Sequence, residues 1–198
     1  MIRAMTYVCL VLAASSALAA QTPRSDPEHA RLTALAGTWD VEMTFKFRPD
    51  GPGIPTKGTS IIRSLLGGQF IEEKIEGVLA GTPFTTLAWT GYNTGTKQYE
   101  ATRIASTNTA RIAETGSYDE ATRQFELKAD YALAGDTWHQ RTVIQLLSAN
   151  TMVATSYLSF GTVPEWKAVE IKYTRKQGDA AAATTPSRPR CGPCCPSA

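Results

Sequence analysis

The sequence predicts an all-β fold: a single up-and-down antiparallel β-barrel of about ten strands, with a short N-terminal helix. Three observations carry this. From Thr38 to Arg48 every odd position is apolar (Trp39, Val41, Met43, Phe45, Phe47) and every even position is polar. A period of two means a strand with one dry face and one wet face. Similar segments then follow at nearly even spacing to residue 176, separated by turn residues. No second helical layer is available to cover their dry faces, so closing the sheet hides those faces and removes the edges.

The elements can be justified in order. Asp26-Pro27-Glu28 reads as a helix start, with Asp as N-cap and Pro at the first helical position. Leu32 and Leu35 share a face, and Gly37 is expected to end this helix. Strands are expected at 38–48, 57–66, 69–79, 82–93, 97–106, 109–118, 123–133, 137–147, 151–160 and 165–176. The breaks between them include Pro49 to Pro55, Gly67-Gly68, Ala80-Gly81, Asn93 to Thr96 and Gly161 to Pro164. Alternation is clean in Phe125, Leu127, Ala129, Tyr131, Leu133, and again in Val169, Ile171, Tyr173. Short connections imply antiparallel neighbours.

Gly37-Thr38-Trp39 resembles the Gly-x-Trp motif of the lipocalin-like (calycin) barrels. That resemblance implies an Arg late in the last strand, here Arg175, packed on Trp39 to close the barrel. A wider set is similar to the bacterial family known as domain of unknown function 1579. It comprises Leu35 to Val41, Leu66 to Phe70, Gly81-Thr82-Pro83-Phe84, Gly91-Tyr92-Asn93, Gly116 to Asp119 and Ile171 to Lys176. The fifth strand departs from that family's pattern, with Arg103 and Ala105 where Trp and Asp are expected. The resemblance implies a fold and no activity.

The two ends read differently from the middle. Residues 1–20 have a basic start, an apolar run from Tyr7 to Leu18 and small residues at Ala17-Leu18-Ala19. This is the pattern of a secretory signal peptide, and the run is too short to span a bilayer, which takes about 20 residues. The protein is therefore expected to be exported, periplasmic or extracellular. Residues 21–30 form a linker and helix start, 31–176 the barrel domain, and 177–198 a disordered tail. The tail ends in Cys191-Gly192-Pro193-Cys194-Cys195. A redox role for Cys-x-x-Cys needs a helix N-terminus to lower the thiol pKa. Here Pro-rich sequence precedes it and Pro196 follows, so no such helix is expected.

Net charge is +2, with basic and acidic residues mixed along the barrel segment. There is no basic stripe, which excludes a nucleic-acid surface. His139 is the barrel's lone histidine. One titratable group makes no catalytic constellation and no conventional zinc site, so no cofactor or metal is expected.

Glu72-Glu73 resolves into two faces if Gly67-Gly68 is a two-residue turn, with Leu66 opposite Gln69, Arg63 opposite Glu72 and Ile62 opposite Glu73. Arg63, Glu72, Lys74 and Glu76 then make a salt-bridged exterior. Ile62, Ser64, Ile71, Glu73 and Ile75 face inward. Glu73 is either a structural carboxylate paired with an interior Arg or Tyr, or a polar anchor for a ligand. Arg103, Arg141, Tyr131 and Tyr157 are its candidate partners, their faces unassigned by pattern.

Three functional readings follow. The first is an exported barrel binding a small, mostly apolar molecule in its interior. Its expected lining is Met43, Phe45, Ile62, Ile71, Glu73, Ile75, Leu127, Tyr131, Ile171 and Tyr173. The second is an isomerase or lyase with Glu73 as acid or base. The third is an interaction module with a solid core. Neither nucleic acid nor a membrane span is expected as partner, and nothing in the residues sets an oligomeric state.

Overall fold

The computed structural model describes residues 26–177. The segment read as an export signal and the tail with Cys191, Cys194 and Cys195 lie outside the described residues.

Asp26 caps helix α1 (Pro27–Thr33) by accepting a hydrogen bond from the Glu28 N–H at 3.1 Å. Ten antiparallel strands follow: β1 (Gly37–Phe45), β2 (Ile54–Leu65), β3 (Phe70–Leu79), β4 (Thr82–Asn93), β5 (Gln98–Ala105), β6 (Ile112–Asp119), β7 (Gln124–Leu133), β8 (Asp136–Ser148), β9 (Thr151–Phe160) and β10 (Val163–Arg175). Each pairs with its sequence neighbour, and β1 also pairs with β10, which closes the barrel. The fold class read from alternation is the one observed. No described helix is long and apolar enough to cross a membrane.

Alternation fixes the core. Trp39, Val41 and Met43 are buried, while Asp40, Glu42 and Thr44 between them are exposed. The pattern stops early, however. β1 ends at Phe45, and Phe47 is 62% exposed rather than inward. The β1 ladder with β10 runs out at Val169, where a bulge shifts the register of β10, so Phe47 has no strand neighbour there. Pro55 belongs to β2, opposite Thr44, so the loop is 46–53.

Two turn readings are corrected. Gly37 does not end α1, which stops at Thr33 with Ala34 as C-cap. Gly37 opens β1 with φ +144°, and a Cβ there would lie 2.3 Å from Arg175 Nη1. The β2–β3 connection is not a two-residue turn: Leu65 and Phe70 form the last pair, and Leu66 to Gly68 make a 3₁₀ turn with Leu66, Gly67 and Gly68 all at positive φ. Adding one residue to each side of the loop leaves the register unchanged. Ile62 still opposes Glu73, and Arg63 still opposes Glu72.

Candidate functional site

The α1 end of the barrel is plugged. Leu32 and Leu35 drop from the helix and its trailing turn into the barrel mouth. Around the rim, Arg31 pairs with Glu28 and, at 2.6 Å, with Glu120. Its guanidinium also lies 4.3 Å from the Tyr118 ring centroid. The Tyr99 hydroxyl, on β5, donates to Glu28. A short helix with one fully buried residue is thus tied down by an ion-pair cluster and two aliphatic side chains.

Beneath this plug lies a cavity of about 50 Å³. Its walls are apolar: Leu32, Leu35, Ile62, Ile71, Phe125, Leu127, Ile144, Met152 and Ala154. Its polar groups are Glu73, Thr90, Tyr99, Arg103 and Tyr173. Among the lining residues expected from sequence, Ile62, Ile71, Glu73, Leu127 and Tyr173 do border it. Met43, Phe45, Ile75, Tyr131 and Ile171 do not. Met43 instead fills space left by a glycine pair: Gly58 opposes Gly77, and its Cε lies 3.1 Å from where a Cβ would stand on each. Phe45 packs edge-on to Phe84 at the opposite end of the barrel. Ile75 is core, and Ile171 is partly buried against it. Tyr131 opposes Trp138 near that same far end.

Glu73 faces inward from β3, as its register requires. Its Oε1 accepts from Ser60 Oγ at 2.8 Å, and the Tyr173 hydroxyl lies close enough to feel its charge. Burial, then the charge of Glu73, hold the Tyr173 pKa well above the ordinary phenol value, against the pull of Arg103. Tyr173 is therefore neutral.

Arg103 brings a guanidinium to the barrel interior from β5. Its Nε lies 3.5 Å from Glu114 Oε2. Burial alone would lower its pKa. Attraction to Glu114, then Glu73, outweighs this and holds it above the ordinary value. The guanidinium is enclosed by the barrel wall, yet 22% of its side-chain surface faces open space, and it borders the cavity. Arg141, the other arginine considered, points outward to Glu165 at 2.6 Å and stacks over Tyr157. Neither it nor Tyr157 reaches Glu73.

Glu114 is the residue that pattern reading missed. Its side chain is wholly buried. Oε1 accepts from Thr142 Oγ1 at 2.6 Å and Gln140 Nε2 at 3.1 Å. Oε2 has no hydrogen-bond partner, only the nearby Arg103. Its strand, Ile-Ala-Glu-Thr-Gly-Ser-Tyr, has no clean apolar alternation. The usable signal is parity with Tyr118, which packs on Phe125.

His139 lies on the outside, 2.6 Å from Asp130. Among the described residues no group of three His, Cys, Asp or Glu side chains could hold a metal ion. At the far mouth an open groove of about 540 Å³ runs between the loop residues Phe47 to Pro52 and the Trp138–Phe160 stack. Its walls are aromatic on the barrel side, and Arg48 and Asp50 line its loop side.

The fold has solved counterparts. Rv2717c from M. tuberculosis is similar over 77% of this chain and 99% of its own, with 12% identity and a TM-score of 0.57. At that identity the likeness shows the fold alone. A redesigned β-barrel, b11L5F_LGL, has 13% identity and a TM-score of 0.40 over 74% of this chain and 96% of its own. EF1p2_mFAP2b bound to DFHBI has 10% identity and a TM-score of 0.42, over 75% and 99%. No curated protein matches the sequence. The family model for DUF1579, described as a protein of unknown function, matches residues 24–175, and the chain belongs to that family.

Proposed function

We propose that this barrel binds a small, mostly apolar molecule in its interior, in the cavity beneath α1. The observation that carries the reading is the composition of that cavity: aliphatic and aromatic walls with a few convergent polar groups, Glu73, Arg103 and Tyr173. Small-molecule sites have this makeup. The present cavity is small, and α1 is the element whose withdrawal enlarges it, since Leu32 and Leu35 form its roof. The lid is held by the Arg31–Glu28–Glu120 cluster at the rim, where ion pairs are weak. The pattern of residues 1–20 supports a protein that meets its ligand after export.

The existence of a lined cavity argues against a solid-core interaction module. An acid–base role for Glu73 is the second reading, favoured by the Tyr173 hydroxyl beside it. The high Tyr173 pKa makes that hydroxyl a poor acid, which weighs toward binding. Native mass spectrometry of protein purified from its own host tests the proposal. A non-covalent mass, lost on denaturation, is the expected result. A bare chain mass that also fails to shift with any small apolar compound would overturn it.

A further inference from the structure

The interior charges do not balance. Bordering or beneath the cavity, the inward-facing charged side chains of the described strands are Glu73, Glu114 and Arg103, two carboxyl groups against one guanidinium; Arg175, also on the inward face, is engaged at the rim by the Trp39 ring and the Ala34, Ala36 and Ala149 carbonyls. Arg103 is within ion-pair distance of Glu114. Glu73 has no described cation within that distance; its hydrogen-bond donor is the neutral hydroxyl of Ser60, with the neutral Tyr173 hydroxyl nearby. A carboxylate offers about four acceptor positions, so one hydrogen-bond donor leaves it with spare capacity. It is Glu73, not Glu114, that borders the cavity.

A half-buried carboxylate beside apolar walls is poorly solvated, and a partner that brings positive charge and N–H donors relieves it. From this we infer that the cavity takes the protonated amine head of a small alkylamine, with the Glu73 carboxylate as its acceptor and the aliphatic wall around Ile62, Ile71 and Leu127 against its tail. This rests on the interior-binding reading above and specifies the ligand's head. A carboxylate head is disfavoured, because the one guanidinium at the cavity already faces two carboxyl groups. The cavity of about 50 Å³ has room for roughly four water-sized spheres, enough for a three-carbon amine without moving the lid.

The test uses three probes with one tail: n-propylamine, n-propanol and propionate, titrated into the full-length protein near neutral pH. Methyl NMR shifts at Ile62, Ile71 and Leu127 are read. The amine is expected to bind roughly tenfold tighter than the alcohol, as a charge-assisted hydrogen bond supplies. Glu73→Gln is expected to remove that advantage and leave alcohol binding unchanged. Alcohol binding as tight as the amine, or propionate binding tightest, overturns the inference while leaving interior binding intact. So does an amine advantage that survives Glu73→Gln. If no probe moves these methyls, interior binding fails as well. The three-probe comparison on the unmutated protein decides the matter even if the variant does not fold.

Discussion

The Arg175 guanidinium carbon sits 4.1 Å from the centroid of the Trp39 indole, joining the last strand to the first. Arg175 also donates to the Ala36, Ala34 and Ala149 carbonyls at 2.5, 2.9 and 3.1 Å, and the Trp39 indole N–H donates to Leu35 O at 3.1 Å. The pair therefore closes the barrel and anchors the turn that carries Leu35 into the cavity. Trp39→Ala is expected to cost about 3–5 kcal/mol as a core truncation. Arg175→Ala should cost about 2 kcal/mol through lost stacking and carbonyl bonds. Gly37→Ala should cost more than about 1 kcal/mol, because it needs positive φ and displaces Arg175. Urea melts of the three variants check these values.

Glu114 and Glu73 should separate under mutation. Glu114→Gln removes the closest countercharge of Arg103 in a dry site, where breaking a buried pair costs about 3–5 kcal/mol. Glu73→Gln keeps an acceptor for Ser60 and relieves an excess of negative charge, so its cost is expected to stay below about 1 kcal/mol. Equal losses in the two variants would show that Glu73 is scaffold rather than site.

Much of this site is legible in the sequence. The strict alternation of Thr38 to Phe45 gave the strand, and the hairpin arithmetic gave the inward face of Glu73. The four-residue connection keeps the same pairing as a two-residue turn, because lengthening the loop symmetrically preserves the register. The limits lay in mixed strands. Arg103 and Glu114 face inward from β5 and β6, where polar and apolar residues are mixed on both faces. A charged residue in such a strand reads as exterior until its neighbours' register is known. Met43 and Phe45 were correctly inward, but inward is not the same as lining a cavity. Gly58 and Gly77 open space that Met43 fills, and the far end is closed by aromatic packing.

Alkaline stability should fall through the tyrosines. Burial first, then the Glu73 charge for Tyr173 and the hydrogen bond to Glu28 for Tyr99, raise both pKa values. Above the ordinary phenol pKa of about 10 the unfolded chain loses these protons while the folded one keeps them. The unfolded state then binds fewer protons, so stability drops as pH rises, by about 1.4 kcal/mol per pH unit for each tyrosine. Below that pH both states are protonated and the contribution is fully present. Melting curves between neutral and strongly alkaline pH check this, and Tyr173→Phe should make the decline shallower.

The lid should loosen when its rim is cut. Arg31→Met removes pairing with Glu28 and Glu120 and stacking on Tyr118, but leaves Leu32 and Leu35 in place. Amide exchange in α1 is expected to quicken roughly tenfold, consistent with a loss of about 1–1.5 kcal/mol, while exchange in β7 and β8 stays unchanged.

Filling the cavity tests the central claim most directly. Ala154 borders it, and Ala154→Leu adds three carbons to a space of about 50 Å³. Native mass spectrometry would compare wild-type and Ala154→Leu protein, both purified from the source organism and both shown to be folded by their melting curves. Interior binding requires a non-covalent mass on the wild type that is absent from the variant. The same adduct retained on Ala154→Leu would contradict it and move the site elsewhere on the barrel.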